Sequence, residues 1–351
     1  MNFTKNDQRF PSQQHLLRED LDHILKDTKT LWEGLKNQRI FITGGTGFFG
    51  CWFLESFIWA NQALDLNAEA VVLTRDIKKF EKKAPHISSS DCIKFIHGDV
   101  NKFVFPEGVF IYIIHAASGT NEIFDTIVNG TQRVLDFAIH CKAKKILFLS
   151  SGAVYGKQSS EAMCFTEEGV RFLDPDDKYY SYALGKQLAE KKCIKYKEEH
   201  GLDVKIARCF TFVGPYFSLE RNFAIGDFIS NRLSSADIVV KGDGMTIRSY
   251  LYAADMIIWL WHLLLRQGKE LIYNVGSDCA ISILDLAKIV SERFEPKLPI
   301  KILNDSKNYD LSRYVPSVAR IKNEFELKQH VSIEEAICKT IKWRQLCGQA
   351  K

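Results

Sequence analysis

The chain reads as an α/β protein: a doubly wound parallel sheet, a smaller C-terminal α/β lobe and an extra N-terminal helix. Three observations predict this. Short apolar strands alternate with helical segments from residue 39 onward, the pattern of a parallel sheet covered on both faces. The first strand runs into a glycine-rich turn and then a helix. After about Val213 the alternation gives way to polar and aromatic loops with short strands.

Taken in order, residues 1 to about 14 read as loose. Glu19–Leu35 has a helical period, with Leu21, Ile24, Leu25, Leu31 and Leu35 near one face. It precedes the first strand, so residues 1–38 are expected to form an extension packed on the core. Strands are expected at Ile40–Thr43, Ala70–Thr74, Ile93–His97, Val109–His115, Ile146–Ser150 and Val204–Phe210. Helices are expected at Cys51–Asn61, Ile127–Cys141 and Tyr182–His200. Beyond them come short strands near Ile238–Val240 and Leu271–Val275, and helices at Ile283–Arg293 and Ile333–Gln345.

Composition narrows the class. A length of 351 residues suits one large α/β domain, or one with a second lobe. A net charge of +4 is small for that size, so neither a nucleic acid nor a membrane is an expected partner. The nine cysteines are scattered and contain no C-x-x-C pair, which fits the reduced thiols of a cytoplasmic protein. The polar N-terminus is not a signal peptide. Met256–Leu265, the most apolar run, is too short to span a bilayer and reads as a buried helix.

Arg39–Gly50 carries the most specific local signal. Its glycines, Gly44, Gly47 and Gly50, are spaced G-x-x-G-x-x-G between a strand and a helix. Gly44 suits the tight turn, Gly47 lets backbone approach a pyrophosphate, and Gly50 lets the helix pack close to the strand. The free N–H groups of the helix start, around Phe48 and Phe49, suit phosphate. A dinucleotide-binding domain is therefore expected over residues 39–212. Residues 213–351 form mainly a substrate lobe, partly interleaved with it.

The next strand ends Leu73-Thr74-Arg75-Asp76. An acid at that point binds the ribose 2′-OH of NAD, whereas an arginine accommodates a 2′-phosphate. Thr74 holds the acidic place and Arg75 follows, which leans toward NADP(H). In the alternative, Asp76 serves the ribose and the cofactor is NAD. Asp99 and Val100 close the third strand, where a carboxylate can accept from the adenine amino group or simply make a turn. Ala116 and Ala117 close the fourth and are small enough for backbone to lie close to a cofactor. His115 beside them reads more readily as a packed core histidine.

Tyr182 and Lys186 are four apart, hence on one helical face. A nearby ammonium favours the phenolate, which makes Tyr182 a candidate general acid/base. Lys186 can also hold the cofactor ribose. The pair gains weight from Ser150-Ser151-Gly152-Ala153-Val154-Tyr155-Gly156 after the fifth strand, where a hydroxyl can bond the oxygen that Tyr182 protonates.

With these elements in this order, the chain resembles the extended short-chain dehydrogenase/reductase family, in its nucleotide-sugar epimerase/dehydratase branch, over about Arg39 to Trp343. Further shared motifs are Asn129-Gly130-Thr131, Val213-Gly214-Pro215, and Gly242-Asp243-Gly244 leading to Arg248 and Tyr250. The resemblance implies a Rossmann-type domain with bound nicotinamide and a lobe that grips a nucleotide diphosphate. It also implies a homodimer through the helices carrying Asn129–Cys141 and Tyr182–His200. Ser151, Tyr182 and Lys186 match the catalytic residues. Arg248 matches an arginine on the substrate phosphates, and Arg313 is a second candidate for that pocket. Thr211 stands where the family often has Asn, and Asn222 is counted with the substrate contacts. Phe212, Tyr216, Phe217 and Phe223 are candidates to stack a base, although such a set is more often core.

One departure matters. Dehydratases of this branch carry acids directly after the catalytic Ser/Thr, where this chain has Gly152 and Ala153. The expected function is hydride transfer at a sugar carbon, C4 by preference, of a nucleotide-diphosphate sugar. The enzyme would be a 4-keto reductase or an epimerase, serving polysaccharide or glycoconjugate precursor synthesis. A 4,6-dehydratase and a non-catalytic NADP(H)-sensing protein are the alternatives.

Overall fold

The computed structural model describes residues 16–119, 123–156, 163–169, 173–177, 179–219, 223–303 and 313–349. The segment read as loose, residues 1 to about 14, and Asn222 lie outside these. In chain order, α1 (Arg18–Thr28) continues as a 3-10 segment to Leu35 and leads to β1 (Arg39–Thr43), α2 (Phe48–Ala63) and β2 (Glu69–Thr74). Then come α3 (Ile77–Lys83), α4 (Pro85–Ser88), β3 (Ile93–His97), β4 (Tyr112–His115), α5 (Ile123–His140) and β5 (Lys145–Ser151). A 3-10 turn (Gly152–Tyr155) separates β5 from α6 (Tyr180–His200), β6 (Asp203–Cys209) and β7 (Phe212–Val213). The remainder holds α7 (Ala224–Leu233), β8 (Ile238–Val240), β9 (Ile247–Arg248), β10 (Leu251–Tyr252), α8 (Ala253–Leu265) and β11 (Ile272–Val275). It closes with β12 (Ile281–Ser282), α9 (Ile283–Glu292), β13 (Ile300–Ile302), β14 (Arg313–Tyr314), α10 (Ala319–Phe325) and α11 (Ile333–Gln349).

Seven strands form one parallel sheet in the order β11-β6-β5-β4-β1-β2-β3. Burial on both faces explains the continuous apolar strands. Along β1, Ile40 and Ile42 enter the core under α2 and α8, while Phe41 enters the opposite core with Val134 and Phe137 of α5 and Cys193 of α6. Period two on the strand thus feeds two separate cores.

The seventh strand, β11, comes from residues 272–275, so the two sequence regions interleave. Away from the sheet, β12-β9-β14, β8-β13 and β7-β10 form three small sheets. The apolar run at 256–265 lies inside α8, every described residue of which through Leu264 is buried. Among the described residues no helix is long and apolar enough to cross a membrane.

Boundaries differ in instructive places. β4 starts at Tyr112 rather than Val109, because Val109 is 63% exposed and only the later residues pair with both neighbours. The N-terminal helix is α-helical only to Thr28, where the Thr28 hydroxyl donates back to the Ile24 carbonyl (2.6 Å) and accepts from the Trp32 indole (2.9 Å).

Candidate active site

The strand order reverses between β4 and β1, and at such a switch point the carboxyl ends of the strands open a crevice. Gly44 sits at its floor with φ +70°; a Cβ there would lie 2.5–2.7 Å from the Ala116–Ala117 backbone. The glycine is therefore required by the close approach of the β1 and β4 ends as well as by the turn. A Cβ on Gly50 would overlap the Gly45 backbone, so α2 packs directly on the turn. Gly47 is the exposed N-cap of α2 and supplies no side-chain cap, which leaves first-turn N–H groups for an anion. The cradle fits a dinucleotide pyrophosphate. Phe48 and Phe49 are half-buried beside it and pack edge-on to Phe217 and Phe212, respectively.

Around this cradle the other candidates divide. Arg75 is exposed at the end of β2, next to the lysines of α3. Asp76 caps α3, accepting from the Lys79 N–H at 2.9 Å, so its carboxylate already has a structural task. Asp99 accepts the Asn101 N–H at 2.9 Å. Val100 is buried against Gly130 of α5. His115 is fully buried between Thr43 (2.7 Å) and Thr131 (3.0 Å). Burial, with the Lys186 charge, holds its pKa down to about 3. It is a neutral core histidine that ties β1, β4 and α5 together.

The catalytic candidates converge at the end of β5. Lys186 is buried, donates to the Leu149 carbonyl at 2.6 Å, and lies 5.9 Å from the centre of the Tyr182 ring. Burial pushes its pKa down to about 8, against the opposing pull of Cys209 and Glu190. Ser151 caps the 3-10 turn, its Oγ accepting the Ala153 N–H at 3.1 Å.

A residue the sequence reading passed over joins them. The Tyr314 hydroxyl lies near Ser151, and a Cβ on Gly152 would collide with it. Burial raises the Tyr314 phenol pKa most, the neighbouring Tyr182 raises it further, and Ser151 and Arg248 oppose. Arg248 and Tyr314 are register partners on β9 and β14, hence on one face. Burial lowers the Arg248 pKa, while Tyr250, Tyr314 and Tyr179 work against that shift. Arg313 is partnered with Ile247 instead, and its Nε donates to the Met163 carbonyl at 2.6 Å. The structure thus joins Arg248 to the Ser151–Tyr182–Tyr314 group and points Arg313 elsewhere. Thr211 is tied by its hydroxyl to the Ser249 carbonyl. Phe212 and Tyr216 are core, and Phe217 and Phe223 stack loosely on each other, 6.4 Å apart.

Beneath the site lies a second missed group. Glu190, one turn beyond Lys186, is buried and accepts from Ser150 (2.5 Å) and from both Nε and Nη2 of Arg208 (3.0 and 2.7 Å). Arg208 also donates to Tyr155 (3.0 Å), whose hydroxyl donates to Asn274 (2.6 Å). The spacing of 182, 186 and 190 on one helical face was the available signal.

Comparison with known proteins agrees with this geometry. Residues 40–276 match the family model described as NAD dependent epimerase/dehydratase family. UDP-glucuronic acid decarboxylase 6 of Arabidopsis thaliana is 26% identical over 86% of this chain and 87% of its own length. A dTDP-glucose 4,6-dehydratase of Actinoplanes sp. is 26% identical over 87% and 97%, respectively. Among solved structures, UDP-glucuronic acid 4-epimerase from Bacillus cereus, in complex with UDP-glucuronic acid and NAD, superposes with a TM-score of 0.73. That match covers 88% of this chain and 100% of the other at 18% identity, a level that speaks for the fold.

Proposed function

The chain belongs to the NAD dependent epimerase/dehydratase family, and from that premise we propose that it moves hydride at C4 of a nucleotide-diphosphate sugar. The observation that carries this reading is the convergence of Ser151, Tyr182 and Lys186 at the end of β5, beside the glycine cradle. A nicotinamide bound there supplies the hydride exchange. Tyr182 exchanges the proton of the sugar hydroxyl or ketone, Ser151 bonds the same oxygen, and the Lys186 ammonium favours the phenolate. Arg248 serves the substrate phosphates, since a guanidinium can bond them in bidentate fashion.

Between outcomes, we weigh the surroundings of Ser151 against dehydration. The dehydratase chemistry needs an acid after the Ser/Thr, and the space beside Gly152 is filled by the Tyr314 hydroxyl. The end of β2 favours NADP(H): Asp76 is engaged as a helix cap, and exposed Arg75 is available to a 2′-phosphate. We therefore place a 4-keto reductase first. An epimerase that retains NAD is the second reading, supported by the NAD found with the Bacillus cereus epimerase. The nine cysteines are all free, which supports a reducing, cytoplasmic setting. The packed pair α5 and α6 is our dimer face.

Mass spectrometry of small molecules released from freshly purified, denatured protein tests the choice. Released NADP(H), or an empty protein that binds NADPH far better than NADH, supports the reductase. Stoichiometric NAD moves the assignment to the epimerase. Absence of turnover with every nucleotide-sugar offered, alongside tight NADP(H) binding, would leave only the sensing protein.

A further inference from the structure

Helix α1 is joined to the rest of the chain through polar side chains. Asp20 accepts from Tyr252 (2.6 Å) and pairs with Lys339 (3.0 Å). His23 and Asp27, four apart on the same helix, face Asp255 in the first turn of α8 and His330 in the loop between α10 and α11. Asp255 is fully buried. Its Oδ2 accepts the N–H groups of His330 (3.1 Å) and Val331 (3.0 Å), which fixes the carboxylate. Among the described residues its Oδ1 has no hydrogen-bond partner, and neither does the Nε2 of His23, 3.9 Å away. That gap is too long for a hydrogen bond. A buried carboxylate oxygen left this way is costly and calls for a physical reason.

The remaining distances supply one. His330 Nε2 is 3.2 Å from Asp27 Oδ2, and His23 Nε2 is 3.9 Å from the same oxygen. The donor atoms of His23, Asp255 and His330 all lie within 4.8 Å of one another. Tetrahedral zinc with bonds of about 2.0–2.1 Å holds its ligand atoms roughly 3.3 Å apart, so small side-chain shifts bring the set into range. Two imidazoles with carboxylates select zinc over magnesium or calcium, which prefer oxygen alone. Two carboxylates also balance a divalent cation in charge. A cavity of about 330 Å³, lined by Asp27, His262 and His330 among others, opens beside the cluster and offers an entry path.

We propose that His23, Asp255 and His330, with Asp27 as fourth ligand, form a structural zinc site that clamps the N-terminal helix to the core. The backbone N–H bonds to Asp255 are its orienting shell. The site is remote in role from hydride transfer and does not depend on the functional reading above.

The test uses the full chain, stripped with EDTA and then titrated with zinc. One zinc per chain is expected, with a rise in melting temperature on loading. His330→Ala, at an exposed position, should keep the native circular dichroism and bind zinc at least about tenfold more weakly. Cys279→Ser, which removes an exposed thiol, should bind zinc as the parent does. Cobalt loading should give the visible spectrum of a four-coordinate nitrogen and oxygen site. The proposal is overturned if no stoichiometric zinc binds, or if binding survives a His23→Ala/His330→Ala double substitution. It also fails if cobalt shows a thiolate charge-transfer band. The cluster is then a set of histidine–carboxylate contacts without a metal.

Discussion

Lys186 is the residue on which the proposed chemistry turns, because its charge is conditional. Burial lowers its pKa to about 8, so the ammonium that supports Tyr182 is lost as pH rises through that value. We expect kcat/KM to fall on the alkaline side with an apparent pKa near 8, and Lys186→Met to remove that limb along with most of the activity. Tyr182→Phe should lower kcat by about 10²–10⁴, the usual contribution of general acid–base catalysis, with cofactor affinity little changed. A pH–rate profile of the three proteins reads all of this. The lysine also carries a stability signature. Between about pH 8 and its ordinary 10.5 the unfolded chain holds a proton that the folded one does not, so this contribution to stability rises with pH across the window. Tyr314 makes a separate prediction. Tyr314→Phe keeps the ring that packs on Phe210 (4.7 Å) but removes the hydroxyl near Ser151. It should lower kcat about tenfold while leaving KM nearly unchanged; a raised KM with kcat unchanged would assign Tyr314 to substrate binding instead. Ser151, Tyr182 and Lys186 were legible because two short motifs carry them. Tyr314 was not, because it arrives from a strand far downstream, brought in by the pairing of β14 with β9.

At the scale of elements, the position of α6 depends on the buried Glu190–Arg208 pair as much as on apolar packing. Glu190 fastens the helix to β5 through Ser150 and to β6 through Arg208. Removing one partner strands the other in the interior. Glu190→Ala should therefore cost about 3–5 kcal/mol in a urea denaturation curve. Replacing both by apolar residues should cost much less, and equal costs would argue against the pairing. His115 acts similarly for β4, and its contribution depends on pH. Its folded pKa of about 3 lies below the usual 6.5, so the unfolded chain binds the extra proton between those values. Stability should fall as pH drops through that window, and His115→Gln should flatten the fall. Elements of the large sheet were readable because two-sided burial writes itself as unbroken apolar runs. Arg208 went unnoticed because it sits within such a run, and a buried ion pair leaves no period in the sequence. The two-residue strands β7, β9, β10, β12 and β14 were unreadable for the opposite reason: each is too short to show alternation.

Over the whole molecule, the N-terminal helix behaves as part of the core. It and its 3-10 continuation bury Leu21, Ile24, Trp32 and Leu35 completely or nearly so, and Trp32 meets Trp261 of α8 at 4.6 Å between ring centres. The Trp59 indole donates to Asp22 at 3.0 Å. The amphipathic period over residues 19–35 announced a helix that packs on something; only the fold shows that it forms an outer layer over α2 and α8. Burying a large apolar side chain contributes about 1.5–3 kcal/mol, so four of them approach the whole stability of about 5–15 kcal/mol usual for a folded protein. Trp32→Ala should cost about 3–5 kcal/mol yet leave a folded chain. Deleting residues 1–35 should leave a chain that aggregates, because it strips the cover from Trp261 and its neighbours. A truncated protein that stayed monomeric with an unchanged denaturation midpoint would show the opposite: that the two-faced sheet and its own helices hold the fold unaided, with the N-terminal layer merely resting on them.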